Sequence, residues 1–289
     1  QDGHNVHVLV YPKSNLWRLK EHLDDIYVHE VDLADIAQIQ TLLPSVKPDW
    51  IFHLAVHGAY SHQTDAMRMV QTNIIGTINL LESSLQEGFE VFVNTGSSSE
   101  YGYKDHAPNE TEWIDPNSYY AVTKASATLY CRYTANSRSV KVPTLRLYSV
   151  YGPYEEPTRL MPTLIRQGLE GKLPPLVNPD TARDYVYIDD VCDAYLFAAS
   201  QTADEFGPVF NVGTGVQTSL RQLVTIAKHV LNIPAEPNWG SMAGRHWDTT
   251  TWVANSQKIR TVLGWKPQYP IEAGFQEMVN WAKTKYESI

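Results

Sequence analysis

The first half of the chain alternates short apolar runs with longer stretches in which apolar residues recur every three or four positions. The apolar runs predict buried strands at Val6–Tyr11, Trp50–Ala55, Val91–Thr95 and Val142–Tyr148. Helical spacing lies between them, at Asp35–Leu43, Ala66–Gln86 and Tyr119–Arg138. Asp35 is suited to begin a helix and Gly88 to end one. This alternation is typical of an α/β fold, in which helices cover a parallel sheet.

The second half has a different texture, because proline and glycine interrupt its short elements. Six prolines occur between positions 153 and 179. The change begins near Gly152, so we predict a larger α/β domain over residues 1–152 and a smaller domain formed mainly by residues 153–289.

The N-terminal segment Gln1–His4 has the character of a helix end that leads directly into a strand. An α/β sheet that begins with its second strand lacks the strand that normally lies at its centre. The backbone groups of the neighbouring strands would then be unpaired. We therefore expect a strand, a glycine-rich turn and most of a helix to precede Gln1 in the natural protein.

The composition narrows the class of protein. Among 289 residues, 43% are hydrophobic and 19% are charged, which is ordinary for a globular protein. The net charge of −9 argues against a general binder of nucleic acid or anionic membranes. The apolar runs are too short for a membrane span. The two cysteines, Cys131 and Cys192, indicate reduced thiols and a cytoplasmic protein.

Tyr120 and Lys124 form a candidate catalytic pair. They stand four residues apart on a predicted helix and therefore share one face. An ammonium beside a phenol favours the phenolate and lowers the tyrosine pKa, which makes the phenol a usable acid or base near neutrality. Taken alone, the spacing also fits an ordinary surface pair.

A run of hydroxyl side chains follows the third predicted strand. Ser97, Ser98 and Ser99 come directly after Val91–Thr95, 23 to 21 residues before Tyr120. Ligands of α/β sheets sit at the carboxyl ends of the strands. These hydroxyls are thus placed to bond a sugar oxygen beside Tyr120, although a flexible turn has the same composition.

Further motifs follow one another along nearly the whole chain, from Gly3 to Trp281. They are Asp32-Leu33, His53-Leu54-Ala55, Asn73 in NIIGTINLLE, SSSEYG, YAVTK, RLYSVYGP from Arg146, RDYVYIDDV from Arg183, NVGTG from Asn211 and LGWKP from Leu263. Their order and spacing resemble the extended short-chain dehydrogenase/reductases of the NAD(P)-dependent nucleotide-sugar epimerase/dehydratase family. The resemblance implies a Rossmann-type doubly wound parallel sheet that binds a nicotinamide dinucleotide, and a smaller α/β C-terminal domain that binds a nucleoside-diphospho-sugar.

The resemblance also implies roles for particular residues. Tyr120 would be the catalytic acid/base, Lys124 would lower its pKa and hold the nicotinamide ribose, and Ser97 would bond the oxygen at C4. The cofactor residues it implies, besides Tyr120 and Lys124, are Asp32, Leu33, Leu54, Ala55, Asn73, Tyr148 and Lys13. The substrate residues it implies are Ser98, Ser99, Arg159, Arg183 and Arg245, with Arg183 and Arg245 on the diphosphate.

Three departures from the family pattern bear on the reaction and the cofactor. Ser98 and Ser99 occupy the positions where dehydratases carry acidic residues, and a serine is a poor base, so dehydration is not expected unless Glu100 takes that place. Ser149 replaces an asparagine that contacts substrate phosphate. Tyr11 replaces an aspartate of NAD users, and with Lys13 beyond it favours NADP over NAD.

The sequence leaves several functions open. Our first hypothesis is an NADP(H)-dependent reductase of a nucleoside-diphospho-4-keto-6-deoxyhexose. The alternative is an NAD-dependent 4-epimerase, and a non-catalytic dinucleotide-sensing scaffold is a third reading. The helices Ala66–Gln86 and Tyr119–Arg138 suggest a homodimer, by analogy with the family. Among His53, His57 and His62, the first two are four residues apart, but His53 lies in a predicted strand and the glutamate of an HExxH motif is absent, so no metal is expected.

Overall fold

The computed structural model describes residues 3–201, 205–244 and 249–286. The chain divides into two compact units, each assembled from three segments. The first unit contains Gln1–Glu100, Pro116–Thr144 and Asp204–Val209. The second contains Tyr101–Asp115, Leu145–Ala203 and Phe210–Ile289. The domain boundary near Gly152 stays a prediction.

Parallel strands and flanking helices build the first unit. Its strands are β1 (His7–Val10), β2 (Tyr27–Glu30), β3 (Trp50–His53) and β4 (Val91–Ser97). Its helices are α1 (Ile36–Val46), α2 (Ala66–Met69), α3 (Gly76–Glu87) and α4 (Tyr119–Arg138). Short 3-10 helices cover Lys20–His22 and Ser98–Tyr101. The strands β1 and β2 pair in parallel, as do β3 and β4.

The larger sheet continues beyond β4 through two more segments of this unit. The Phe92 and Asn94 amides donate to the carbonyls of Lys141 and Pro143 over 3.0 and 2.8 Å. The Val142 and Thr144 amides donate in turn to Phe206 and Pro208, both over 2.8 Å. The four predicted strands are thus present, slightly shifted at their ends, and the expected parallel α/β class is confirmed.

Helix ends follow the predicted chemistry with one extension. The Asp35 carboxylate accepts from the Ala37 amide and begins α1, and Gly88 ends α3 with a φ of 84°. The sequence ends the first helix at Leu43, before Pro44, but α1 runs on to Val46. It then closes at Lys47, which adopts a left-handed conformation and donates its amide to the Leu43 carbonyl. A proline in the last turn thus shortens the hydrogen-bond ladder without ending the helix there.

The predicted helix over Ala66–Gln86 is interrupted. Residues Val70–Ile75 form a π-helical segment between α2 and α3. Asn73 lies within it, almost fully buried. Its side-chain amide donates to the His57 carbonyl at 2.8 Å and to the Thr123 hydroxyl at 2.9 Å, and its carbonyl oxygen accepts from the His57 amide. A wide turn of this kind often marks a functional position, and periodicity alone does not show it.

Buried apolar side chains from helices and strands form the core of the first unit. They are Val31, Ile39, Leu43, Ile51, Leu80, Leu81, Phe92, Cys131, Ala135 and Val142.

The second unit has its own core and two small sheets. Its strands are β5 (Thr144–Leu147, whose first residue belongs to the first unit), β6 (Ser149–Tyr151), β7 (Ala182–Arg183), β8 (Tyr185–Tyr187), β9 (Val209–Val212, likewise) and β10 (Thr218–Ser219). Its helices are α5 (Leu160–Leu169), α6 (Ile188–Ser200), α7 (Leu220–Leu231), α8 (Gln257–Val262) and α9 (Ile271–Tyr286). Strands β6 and β8 pair in parallel, and β7 and β10 antiparallel. Side chains of α5, α7 and α9 fill the core between these helices.

No helix among the described residues combines the length and the apolar character needed to cross a membrane.

Gly102 marks the tightest backbone approach in the second unit. Its φ is +68°, and a Cβ placed there would lie 1.9 Å from the Asp115 carbonyl oxygen. Gly264 has a nearly equal φ of +70° but has no heavy atom within 4 Å of such a Cβ. The two glycines therefore separate the backbone cost of a left-handed residue from the cost of a collision.

We expect Gly102→Ala to lower the free energy of unfolding by about 2–4 kcal/mol, because left-handed strain and overpacking add. Gly264→Ala, the matched control, should cost about 1 kcal/mol from the backbone alone. Urea unfolding followed by circular dichroism measures both. Equal losses in the two variants would contradict the collision with Asp115.

Candidate active site

One face of α4 carries the predicted catalytic pair. The helix begins at Ser118, whose hydroxyl accepts from the Ala121 amide at 3.1 Å, so that Tyr120 lies in its first turn. Tyr120 is half-buried, and Lys124, one turn later, is only 3% exposed. Thr128 and Cys131 continue the same buried face.

The Lys124 ammonium lies in a setting that opposes its charge. Burial lowers the pKa of Lys124, and the nearby Glu100 carboxylate acts in the opposite direction. The buried His53 ring is hydrogen-bonded to the Thr77 hydroxyl at 2.8 Å. Burial, with a smaller effect of Lys124, lowers the pKa of His53 to about 3. His53 is therefore a neutral imidazole at physiological pH and serves the packing around Lys124.

The serine run lies at the carboxyl end of β4, as predicted. Ser97 ends the strand, and Ser98 and Ser99 open the 3-10 helix that follows. The Ser97 and Ser99 hydroxyl oxygens are 2.8 Å apart, and the Ser99 amide donates to the Ser97 hydroxyl at 3.2 Å. Ser97 and Ser98 are 9% and 6% exposed. These hydrogen bonds to Ser99 thus fix the orientation of the Ser97 hydroxyl.

Glu100 is turned into the interior. Its side chain is fully buried, and Oε1 accepts from the Ser97 amide at 2.8 Å and from the Thr128 hydroxyl at 3.0 Å. The carboxyl group therefore does not take the place of Ser99. Sequence reasoning treated Glu100 only as a displaced dehydratase base. Its position in the sequence, directly before Tyr101-Gly102, does not predict the hydrogen bond that it accepts from Thr128 of α4.

The predicted dinucleotide residues of the first unit follow the strand ends. Asp32 follows β2, and its carboxylate accepts from the Ala34 amide at 3.0 Å. The Leu33 carbonyl accepts from the Asn79 side chain at 2.9 Å. Leu54, 59% exposed, and the half-buried Ala55 follow β3. Tyr11 directly follows β1.

One cation lies on the Tyr11 ring, and a second basic residue follows Tyr11 closely in the chain. The Arg68 guanidinium stacks over its ring, with Cζ 4.3 Å from the ring centroid, and Arg68 Nη1 lies 3.7 Å from Asp32 Oδ2. Lys13 is exposed and adopts a left-handed backbone with a φ of 63°. Sequence reasoning found Lys13 but missed Arg68, because 57 positions separate it from Tyr11 in the chain.

In the second unit, the structure places Tyr148 between β5 and β6, 7% exposed. Its hydroxyl is buried and has no hydrogen-bond partner among the described residues. Burial is the largest cause that raises the pKa of Tyr148, so the group is a neutral phenol. Its hydroxyl keeps a donor that no described residue uses.

Arg183 ends β7 and is held in place by its surroundings. It donates from Nη1 to the Ala182 carbonyl at 2.7 Å and lies over the Trp252 ring, with Cζ 5.3 Å from the centroid. The next residue, Asp184, is fully buried. Its carboxylate accepts from the Thr214 amide and hydroxyl, the Gly215 amide and the Ala254 amide, over 2.6 to 3.0 Å. Arg245 lies outside the described residues.

Arg159 has a partner within its own segment. Its Nε lies 3.0 Å from Glu155 Oε1, and the Glu155 side chain is only 11% exposed. Glu155 Oε2 is buried without a hydrogen-bond partner among the described residues. Burial, opposed by Arg159, raises the pKa of Glu155 to about 7.

The described residues contain no group of three or more side chains that could hold a metal ion.

The fold is of the α/β class in which dinucleotide-binding enzymes are found, and comparison with known proteins names the family. A sequence model of the NAD-dependent epimerase/dehydratase family matches residues 1–213. The chain belongs to this family. It is thus an extended short-chain dehydrogenase/reductase enzyme with a Rossmann-type α/β fold, as the sequence predicts.

Similar proteins act on nucleotide sugars. The UDP-glucose 4-epimerase of Mycolicibacterium smegmatis is 30% identical over 92% of this chain and 85% of its own length. The dTDP-glucose 4,6-dehydratase 1 of Escherichia coli is 28% identical over 91% of this chain and 81% of its own. The structure of UDP-glucose 4-epimerase from Thermotoga maritima with UDP-glucose superposes with a TM-score of 0.89 at 27% identity, covering 98% of this chain and 92% of that one.

The raised pKa of Glu155 predicts a pH-dependent stability. The folded protein holds this proton more tightly than the unfolded chain does, so stability is lost as pH rises from about 4.5 through about 7. Between about pH 5 and pH 8, the unfolding free energy of Glu155→Gln should gain about 2–3 kcal/mol relative to the native protein. Urea titrations at both pH values measure this. A difference independent of pH would contradict it.

Proposed function

We propose that this protein transfers hydride at C4 of a nucleoside-diphospho-sugar without eliminating water, and that its reaction is the NADP(H)-dependent reduction of a 4-keto-6-deoxyhexose. The observation that carries the proposal is the buried Lys124 on the same face of α4 as Tyr120, together with the oriented Ser97. Family membership supports it, because the family acts on nucleotide sugars.

The described residues support a dinucleotide site. In the first unit, the strand ends offer a hydroxyl row and an aromatic–cation pair. In the second unit, taken by itself, Tyr148 has a hydroxyl without a hydrogen-bond partner among the described residues. Asp32, Leu33, Leu54, Ala55, Asn73, Lys124 and Tyr148 are the residues that we propose to hold the cofactor. When bound, the nicotinamide supplies or accepts the hydride.

The chain itself handles the proton. Tyr120 gives its phenolic proton to the C4 oxygen as the ketone becomes an alcohol. Lys124 stabilises the phenolate that remains, because its ammonium lies one helical turn away in a medium that screens charge poorly. Ser97 donates to the same oxygen and fixes the carbonyl for the transfer. A proton from solvent then restores Tyr120.

Elimination of water needs a base that this chain does not offer next to Ser97. The two following residues are Ser98 and Ser99, and a hydroxyl is a weak base at neutral pH. Glu100 is engaged with the Ser97 amide and Thr128. These observations support hydride transfer at C4 over dehydration, although dehydratases are among the relatives.

Arg68, stacked on Tyr11, and the nearby Lys13 support NADP(H). An aspartate at this strand end would accept from the adenosine ribose hydroxyls, whereas a 2′-phosphate requires cationic donors. Arg68 and Lys13 offer two, and a guanidinium binds phosphate oxygens in a fixed fork.

The second candidate is an NAD-dependent 4-epimerase. The likeness to UDP-glucose 4-epimerases from Mycolicibacterium smegmatis and Thermotoga maritima favours it. In that reaction, Tyr120 first takes the proton from the C4 hydroxyl and later returns it, and the same Lys124 and Ser97 serve both directions.

We further propose that Arg159, Arg183 and Arg245 bind the diphosphate of the substrate, with Ser98 and Ser99 near the sugar. The outer face of α4 supports a homodimer, because it exposes a stripe of large apolar side chains. These are Tyr119, Val122, Leu129 and Tyr133. The two free cysteines support a reducing, cytoplasmic location.

Tyr120→Phe should lower kcat by about 10²–10⁴-fold, because the proton donor at C4 is lost while the ring remains. The matched control is Tyr119→Phe, which removes a hydroxyl from the neighbouring exposed residue and should leave kcat within about twofold. Nicotinamide absorbance with a panel of nucleoside-diphospho-4-keto-6-deoxyhexoses, and epimerisation of UDP-glucose, measure the rates. Full turnover by Tyr120→Phe would remove this residue from the mechanism.

The cofactor that the purified full-length protein retains separates the two candidates. An epimerase must keep its dinucleotide between two half-reactions, whereas a reductase exchanges it in every cycle. We expect the denatured protein to release no stoichiometric amount of NAD, as detected by mass spectrometry. Titration calorimetry should show reversible binding of NADPH. Arg68→Leu should weaken NADPH binding by about tenfold, as expected for one lost phosphate contact, and leave NADH binding unchanged. Tightly retained NAD would support the 4-epimerase instead.

A further inference from the structure

Glu100 and Lys124 are buried together in the first unit, and neither has access to water. Glu100 is 0% exposed and Lys124 is 3% exposed. Glu100 Oε1 accepts from the hydroxyl of Thr128, which lies four residues beyond Lys124 on the same face of α4. Four residues advance a helix by about 6 Å, so the carboxylate is docked one turn from the lysine.

The other groups around Lys124 do not supply a negative charge. Burial raises the pKa of the Cys131 thiol to about 12, so it is protonated at neutral pH. His53 is a neutral ring, since burial lowers its pKa to about 3. Of the groups in the described part of the chain that act on Lys124 electrostatically, the Glu100 carboxyl group has the largest effect, and it opposes the effect of burial.

Two charged groups on the helices packed against α4 have partners other than Lys124. Glu82 of α3 accepts from the Tyr130 hydroxyl at 2.8 Å. Arg68 of α2 lies over Tyr11 and beside Asp32.

We propose that Glu100 is a positioning residue that keeps Lys124 in its charged form and, through the same carboxylate, fixes the Ser97 amide at the end of β4. A buried amine without a counter-charge releases its proton near or below neutrality. A neutral Lys124 has no electrostatic hold on the Tyr120 phenolate. The catalytic meaning of this inference rests on the proposed function; the charge of Lys124 does not.

The test titrates Lys124 directly, without turnover. Protein labelled with ¹³C at the lysine ε-carbons is titrated by NMR, and the Lys124 signal is assigned by its loss in Lys124→Met. Glu100→Gln keeps the shape of the side chain and an acceptor for Ser97 and Thr128 but removes the charge. We expect its Lys124 signal to titrate at a pH about one to two units lower than in the native protein.

Two controls separate charge from shape. Thr128→Val removes the hydrogen bond to Glu100 but leaves the carboxylate, and Glu100→Asp keeps the charge on a shorter side chain. Both should titrate within about half a unit of the native protein, because the charge near Lys124 persists. An unchanged Lys124 titration in Glu100→Gln would overturn the proposal, and so would an equal shift in Thr128→Val.

A double variant keeps the test decisive if Glu100→Gln does not fold. In Glu100→Gln/Lys124→Met no uncompensated ammonium remains, so the double variant should fold even where Glu100→Gln does not. Where Glu100→Gln does fold, the double variant should have the higher melting temperature. If Glu100→Gln lowers the melting temperature as much in the Lys124→Met background as in the native one, the proposal is wrong. A shifted Lys124 titration in a protein that turns over no nucleotide sugar would instead remove the proposed function and leave the Glu100–Lys124 coupling in place.

Discussion

The buried ammonium of Lys124 is the constraint around which the catalytic face of the first unit is organised. Removing an ammonium from water costs several kcal/mol, even after the protein relaxes. The chain offsets this cost with the Glu100 carboxylate, which a 3-10 turn after β4 directs toward α4. The same carboxylate accepts from the Ser97 amide. Ser97 is proposed to hold the substrate, and Lys124 is proposed to stabilise the Tyr120 phenolate. Both residues therefore depend on the same Glu100 carboxylate.

The two opposite faces of helix α4 differ in composition. Its inner face holds Tyr120, Lys124, Thr128 and Cys131, which are polar or weakly apolar, and its outer face exposes Tyr119, Val122, Leu129 and Tyr133. A helix that only covered a sheet would concentrate its large apolar residues on the inner face. The proposed function accounts for this reversal, because it assigns proton transfer to the inner face and a homodimer contact to the outer face.

The sequence predicts helix ends and caps well, but it predicts contacts between residues that are distant in the chain poorly. The α4 boundaries, the Asp35 cap and the Gly88 end follow from side-chain chemistry within one or two turns, and the structure confirms them. The π segment does not follow, because it depends on Asn73 reaching both His57 and Thr123. Glu100 and Arg68 were missed for the same reason. Each acquires its meaning from a partner more than twenty positions away, which one sequence without the fold does not reveal.

The chemistry at C4 and the choice between a reductase and an epimerase depend on different parts of the first unit. Tyr120, Lys124 and Ser97 are proposed to serve proton transfer in both reactions, so changes among them should alter the rate and not the reaction type. What separates the two is how long the dinucleotide stays bound, and that depends on contacts distant from the reacting carbon. Under the proposed function, the Arg68–Tyr11 stack and Lys13 are such contacts. They would act by charge on the adenosine end of the cofactor, and a site that selects a 2′-phosphate through cations near the surface would bind a cofactor that it is able to release.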